Sequence, residues 1–123
     1  MSISVSVLKG EQEIVSEAVL ADTFFNRLFG LLPLKVLDEN KGIILKPCKQ
    51  IHTFHMKYSI DAVFLSEDNV IVHIEQKIAP NKVSKYVKSA KCVLEAGGGT
   101  AERCRLSVGD RLELKELREQ GTA

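Results

Sequence analysis

Between Pro47 and Leu65 the chain reads PCKQIHTFHMKYSIDAVFL, which places Cys48, His52, His55, Met56 and Asp61 in an otherwise apolar, β-forming run. Thiol, imidazole, thioether and carboxylate in one stretch could be ligands of a soft metal, a Cys–His nucleophile pair or acid–base groups. Spacing tests each of these. In an extended strand side chains alternate, so His52, Phe54 and Met56 share one face and Ile51, Thr53 and His55 the other. The two histidines then cannot meet at one ion. Cys48 and His52 have the same parity but stand four residues apart, about 13 Å at a strand's rise per residue. Metal ligands must come within about 2.0–2.3 Å of one ion. Only a sharp bend at PCKQ would close that gap, so no metal and no cofactor is expected. A Cys48–His52 nucleophile meets the same obstacle, and buried free cysteines are usually inert small hydrophobes. Cys48 is nevertheless the first choice for a reactive thiol among Cys48, Cys92 and Cys104.

Asp61 is more informative. It shares a strand face with Val63 and Leu65, and a carboxylate buried there needs a cation or several donors, because desolvation is otherwise too costly. Glu95, within CVLEA, makes the same demand beside Val93. Arg27 is the natural answer, since Thr23 and Gly30 lie four before and three after it on one helical face. The expected structural polar network is therefore Arg27 with Asp61 or with Glu95, His52 lying at its edge.

Other polar residues have bland readings beside their functional ones. His73 in VIVHIEQ is expected at the edge of the core or on the solvent face. Lys82, Lys85, Lys88 and Lys91 surround Tyr86 and could meet an anionic ligand or RNA, but with no arginine fork a solvated loop is favoured. GGGT, residues 97–100, could present amides to an anion, yet without a lysine in the loop it is not a phosphate-loop motif.

These residues must be positioned by one small domain. The chain has 123 residues, 45% hydrophobic and 27% charged, enough to bury a single core. A net charge of +1 gives no global field for nucleic acid or acidic lipid. Three cysteines without CxxC spacing indicate neither a disulfide framework nor a zinc knuckle. MSISVSVLKG alternates apolar and polar residues rather than forming a signal peptide, and no apolar run reaches the length of a bilayer span. A cytoplasmic home is expected.

Period-two alternation predicts strands at Ile3–Val7, EIVSEAVL, GIILKP, QIHTFHM, SIDAVFL, VIVHIEQ, AKCVLEA and VGDRLELKEL. A helix is predicted in ADTFFNRLFGLLPL, capped at Asp22 or Thr23 and limited by Pro33; TAERCRL adds one helical turn. Residues 79–89 read as a long surface loop, and 118–123 as a frayed tail. The expectation is a single mainly β (α+β) domain over 1–123. It is a small barrel-like unit or closed β-sandwich of six to eight strands with one short helix.

The motifs in order are A-x-T-x-x-x-R-x-x-G-L from Ala21 to Leu31, C-x-x-I-H-T-F-x-M from Cys48 to Met56, I-D-x-V-F-L from Ile60 to Leu65, then V-L-E, G-T-A-E-R and V-G-D-R-L between Val93 and Leu112. In that order and spacing, over residues 15–115, the chain resembles the bacterial and archaeal family called domain of unknown function 192. The resemblance implies a compact β-barrel-like domain with a short helix and no established activity. It departs from the family's pattern at Ser59, where a proline is usual, at His55, which replaces an aromatic residue, and at Gly97 and Gly98, which replace a Pro-Ala pair. The loop before Thr100 should therefore be looser.

Two classes of function remain open. The first is a non-catalytic module that binds a small ligand or a protein in a groove lined by His52, Thr53, Gly98, Gly99 and Thr100. It would be a monomer or weak dimer, with neither membrane nor nucleic acid as partner. The second is a small hydrolase- or transferase-like enzyme, with His52 as general base oriented by Asp61 or Glu95.

Overall fold

The structure, a computed structural model, describes residues 3–21, 40–54 and 56–117. Seven strands form one sheet: β1 (Ile3–Lys9), β2 (Gln12–Ala21), β3 (Lys41–Leu45), β4 (Ile60–Leu65), β5 (Ile71–Ile78), β6 (Cys92–Gly97) and β7 (Glu113–Glu116). A four-residue helix, α1 (Thr100–Arg103), lies between β6 and β7. The spatial order is β5-β4-β6-β3-β2-β1-β7. β1 and β2 form the expected hairpin around Gly10, whose φ of 61° is left-handed. All pairs are antiparallel except β2 with β3. A parallel pair needs a crossover of a dozen or more residues, and residues 22–40 supply it. The predicted helix and Arg27 fall in this crossover, outside the described residues.

The fold is mainly β with a short helix, as expected, but the sheet is not closed. Its edges come near each other through the residues before β7, where Ile71 donates its N–H to Asp110 O at 2.8 Å and Leu112 donates to Asn69 O at 2.9 Å. Val70 and Arg111 form a single isolated bridge there.

Both faces of the central strands are covered. One core gathers Val7, Val15, Ile44, Val63, Leu65 and Leu94, and is closed by Ala101, Cys104, Leu106 and Leu112. The other gathers Ile43, Leu45, Ile60, Ala62, Phe64 and Val93. Strand alternation requires this division, since Val63 and Leu65 point one way and Ala62 and Phe64 the other. Among the described residues the second core is covered by two extended segments, 48–56 and 78–90, which contribute Cys48, Ile51, Met56, Ile78, Val87 and Ala90.

Those segments correct one sequence expectation and refine another. QIHTFHM is not a strand; only His52 makes a bridge, to Val83. Ile51 and Thr53 are buried while His52 and Phe54 are exposed, so alternation holds that far. A turn then closes with the Met56 N–H donating to Thr53 O at 3.2 Å, and Met56 is buried instead of following Phe54. The lysine-rich stretch has no regular structure and its lysines are exposed, as expected of a surface loop, but its course is fixed. Its backbone is tied to residues 48–53 by Thr53 N–H to Lys82 O (2.9 Å), Ser84 N–H to Ile51 O (2.9 Å), Val87 N–H to Lys49 O (2.8 Å) and Cys48 N–H to Lys91 O (2.9 Å). Side chains complete this irregular antiparallel ladder, because Ser84 Oγ accepts the Ile51 N–H at 3.0 Å and Gln50 Nε2 donates to Ser84 O at 2.9 Å.

Candidate functional site

Asp61 is fully buried, on the face of β4 that carries Val63 and Leu65. Its carboxylate is met by three backbone amides. Oδ1 accepts Lys77 N–H at 2.8 Å and Gly99 N–H at 3.2 Å, and Oδ2 accepts Ala101 N–H at 2.8 Å. The first donor exists because of an irregularity in β5. Ile60 pairs with Ile78 but Ala62 with Glu75, so two steps on β4 match three on β5. The extra residue bulges the strand, and Lys77, at φ 52°, turns its N–H out of the ladder toward Asp61. The other two donors come from the glycine loop and the first turn of α1. Gly99 has φ 96°, a conformation a side chain would resist. One amide of GGGT, that of Gly99, does receive a carboxylate, but it is the chain's own Asp61.

This arrangement decides the standing of several sequence candidates. Asp61 answers its burial with backbone donors, and both oxygens are engaged. Gly98 donates its N–H to Ser59 O at 3.1 Å. Thr100 is buried and its Oγ1 donates to Gly97 O at 2.7 Å. Thr53 is also buried; its Oγ1 donates to Ala79 O at 2.6 Å and accepts Lys82 N–H at 2.9 Å. Thr53 and Thr100 are therefore staples of loops rather than open hydroxyls. His52 alone among the expected groove residues carries an exposed side chain with chemistry, and its ring stacks on Phe54 with centroids 4.5 Å apart and 23° between planes.

Glu95 is 2% exposed and points to the second core, since it pairs with Ile43 on β3 and with Ala62 on β4. Asp61 and Glu95 thus lie on opposite faces of the sheet. All three cysteines are buried. Burial pushes the Cys92 thiol up to about 11, partly offset by the Lys46 charge, while the neighbouring Cys48 adds to the rise. Cys48 Sγ donates to Gln50 O at 3.2 Å. Reactive thiols need a stabilised thiolate, and Cys92 has the reverse. Among the described residues no three of His, Cys, Asp and Glu converge as a metal cluster would require.

The arrangement that sequence reasoning missed lies on β5. His73 Nε2 stands 3.1 Å from Glu75 Oε2, and the same oxygen accepts Lys85 N–H at 2.8 Å. The His73 ring rests on Phe64, centroids 5.3 Å apart. Beside it opens a depression of about 560 Å³ between Val72–His73 and residues 85–89. Lys85, Tyr86, Lys88 and Ser89 line it, so the wall is cationic and aromatic. The alternation of HIE, which puts His73 and Glu75 on one face, was a signal for the pair. Nothing local in sequence joins that pair to residues 85–89.

Comparison with known proteins places this geometry in a family. The chain is 30% identical over 115 residues to UPF0127 protein PF1050 of Pyrococcus furiosus, covering 91% of this chain and 97% of that one. It is 30% identical over 102 residues to UPF0127 protein PYRAB11210 of Pyrococcus abyssi, covering 76% and 82%. Among solved structures, a proposed transcription regulator from Sinorhizobium meliloti 1021 shares the fold at TM-score 0.73 and 21% identity, over 93% of this chain and 94% of that one. A protein of unknown function from Novosphingobium aromaticivorans DSM 12444 does so at TM-score 0.75 and 23% identity, over 91% and 84%. The model of the DUF192 family, described as "Uncharacterized ACR, COG1430", matches residues 5–114, and the chain belongs to that family.

Proposed function

We propose that the protein is a non-catalytic binding module whose ligand is a small anion seated in the depression beside His73. The observation that carries this reading is the lining itself: Lys85, Lys88, Tyr86, Ser89 and His73 lie around one open concavity. Its volume lies within the usual range of ligand sites, about 300–1,000 Å³. The enzyme reading, with His52 as base and Asp61 or Glu95 as orienter, has less support. Asp61 commits both oxygens to backbone amides, and Glu95 is directed into the second core. His52 stacks on Phe54 instead of standing over the lined concavity.

The test is an amide chemical-shift titration with inorganic phosphate and with malonate. The expected result is saturable shifts confined to Val72, His73 and residues 85–89, weakened by Lys85→Ala. Shifts spread evenly over all lysines, or none at millimolar anion, would overturn it. Among the described residues no helix is long and apolar enough to cross a membrane.

A further inference from the structure

Residues 46–59 carry three lysines and residues 76–91 carry five, and neither segment contains an Asp or Glu. The remaining residues therefore hold a net charge of −7 against the chain's +1. Sequence alone scatters these lysines over two stretches. The ladder between residues 48–53 and 82–91 brings the stretches side by side as one layer over the second core.

Within that layer the burial repeats every three residues. Ser84, Val87 and Ala90 point inward and are buried, and each is followed by an exposed lysine, Lys85, Lys88 and Lys91. Lys82 is exposed in the same phase. Among the described residues none of these four ammonium groups is in an ion pair. Exposed aromatic rings lie on the same two segments: Tyr86, between Lys85 and Lys88, is 57% exposed, Phe54 50% and Tyr58 59%. Phe54 already stacks on His52, whose bridge partner Val83 sits next to Lys82.

From this juxtaposition we infer that the layer binds single-stranded nucleic acid, the lysines taking successive phosphates and the exposed rings taking bases. The inference rests on the anion-binding reading above, and it extends the anion from a single group to a chain of phosphates. Backbone-tracking cations with interleaved aromatic platforms are what sequence-tolerant single-strand binding requires. The absence of arginine forks is consistent with binding that positions phosphates without reading base edges. A concavity walled by Tyr86, rather than a protruding apolar tip, favours a base over a lipid bilayer.

The experiment is fluorescence anisotropy of the whole protein with a labelled twelve-nucleotide RNA, between 50 and 200 mM salt. Four phosphate contacts give a log–log slope of about −2.8, a loss of about 50-fold over that range. Lys85→Ala with Lys88→Ala should flatten the slope to about −1.4, a loss of about sevenfold. Phe54→Ala should weaken binding about tenfold at every salt concentration and leave the slope unchanged. All three positions are exposed, and unchanged melting temperatures confirm that the variants are folded. If the RNA does not bind while phosphate still shifts the depression, the nucleic-acid inference falls and the anion-binding reading stands. If neither binds, both fall. Equal affinity for heparin with no effect of Phe54→Ala would overturn the base-stacking assignment, and preference for phosphatidylserine vesicles over RNA would assign the layer to a membrane surface instead.

Discussion

Substituting Asp61 should be the most damaging single-atom change in this protein. Asp61→Asn keeps size and shape but turns one acceptor into a donor. If its remaining oxygen keeps Lys77 N–H and Gly99 N–H, the new amide faces the Ala101 N–H, now 2.8 Å from a donor. One charge-assisted bond is lost, worth about 1.5–3 kcal/mol, the other two weaken to neutral ones, and a buried N–H is left unpaired. A total near 3 kcal/mol follows. With a urea dependence of about 2 kcal/mol/M, the unfolding midpoint should fall by about 1.5 M. Asp61→Ala orphans three amides and should lose more. The assay is equilibrium urea unfolding followed by circular dichroism. The three donors sit in the β5 bulge, the glycine loop and α1, so amide exchange at Lys77, Gly99 and Ala101 should quicken together. An Asp61→Asn protein with the parent's midpoint would refute the account outright.

Three further predictions concern the buried groups. The raised Cys92 thiol favours the folded state fully below the thiol's unfolded pKa of about 9 and loses that contribution as pH rises through about 11; roughly 2–3 kcal/mol should vanish over that window, and Cys92→Ala should not show the loss in pH-dependent unfolding. Thr53→Val preserves shape but strips Ala79 O and Lys82 N–H of their partner, which should cost about 2–4 kcal/mol and accelerate exchange at Asn81–Ser84; a neutral Thr53→Val in denaturation would contradict the staple. Arg27 remains the proposed counter-ion of Glu95. Arg27→Ala and Glu95→Ala should each lose about 3–5 kcal/mol, and the double variant should lose no more than either. Additive losses in that cycle would dissolve the pair.

Much of the fold was legible because strand alternation is a local signal. Ile3–Val7, IDAVFL and CVLEA all became strands, although IDAVFL and CVLEA are buried on both faces and Ile3 is exposed while Ser6 is buried. The demand on Asp61 was legible too, since a carboxylate in an apolar strand must be satisfied. Its satisfaction was not. The donors come from residues 77, 99 and 101, and the Lys77 donor depends on a bulge that no residue pattern announces. The histidine segment misled for a related reason. QIHTFHM alternates well enough to suggest a strand, but the turn at Thr53–Met56 is fixed by hydrogen bonds to residues 79–82, far along the chain. Likewise the depression needs His73 from β5 and residues 85–89 together, a tertiary fact that spacing could not supply.

The three-residue phase of the segment from Lys82 to Lys91 has a consequence for how such a protein could change. Packing is assigned to Ser84, Val87 and Ala90, and hydrogen bonding of the layer to its backbone and to residues 48–53. The side chains at 82, 85 and 88 and 91 carry neither duty. They can be rewritten, even reversed in sign, with little effect on folding, because surface changes away from packed or bonded features stay within about 0.5 kcal/mol. If the layer binds as proposed, stability and ligand preference are set at separate positions of one short stretch. On the proposed reading, a charge-swap library at those four sites would change binding without spending stability.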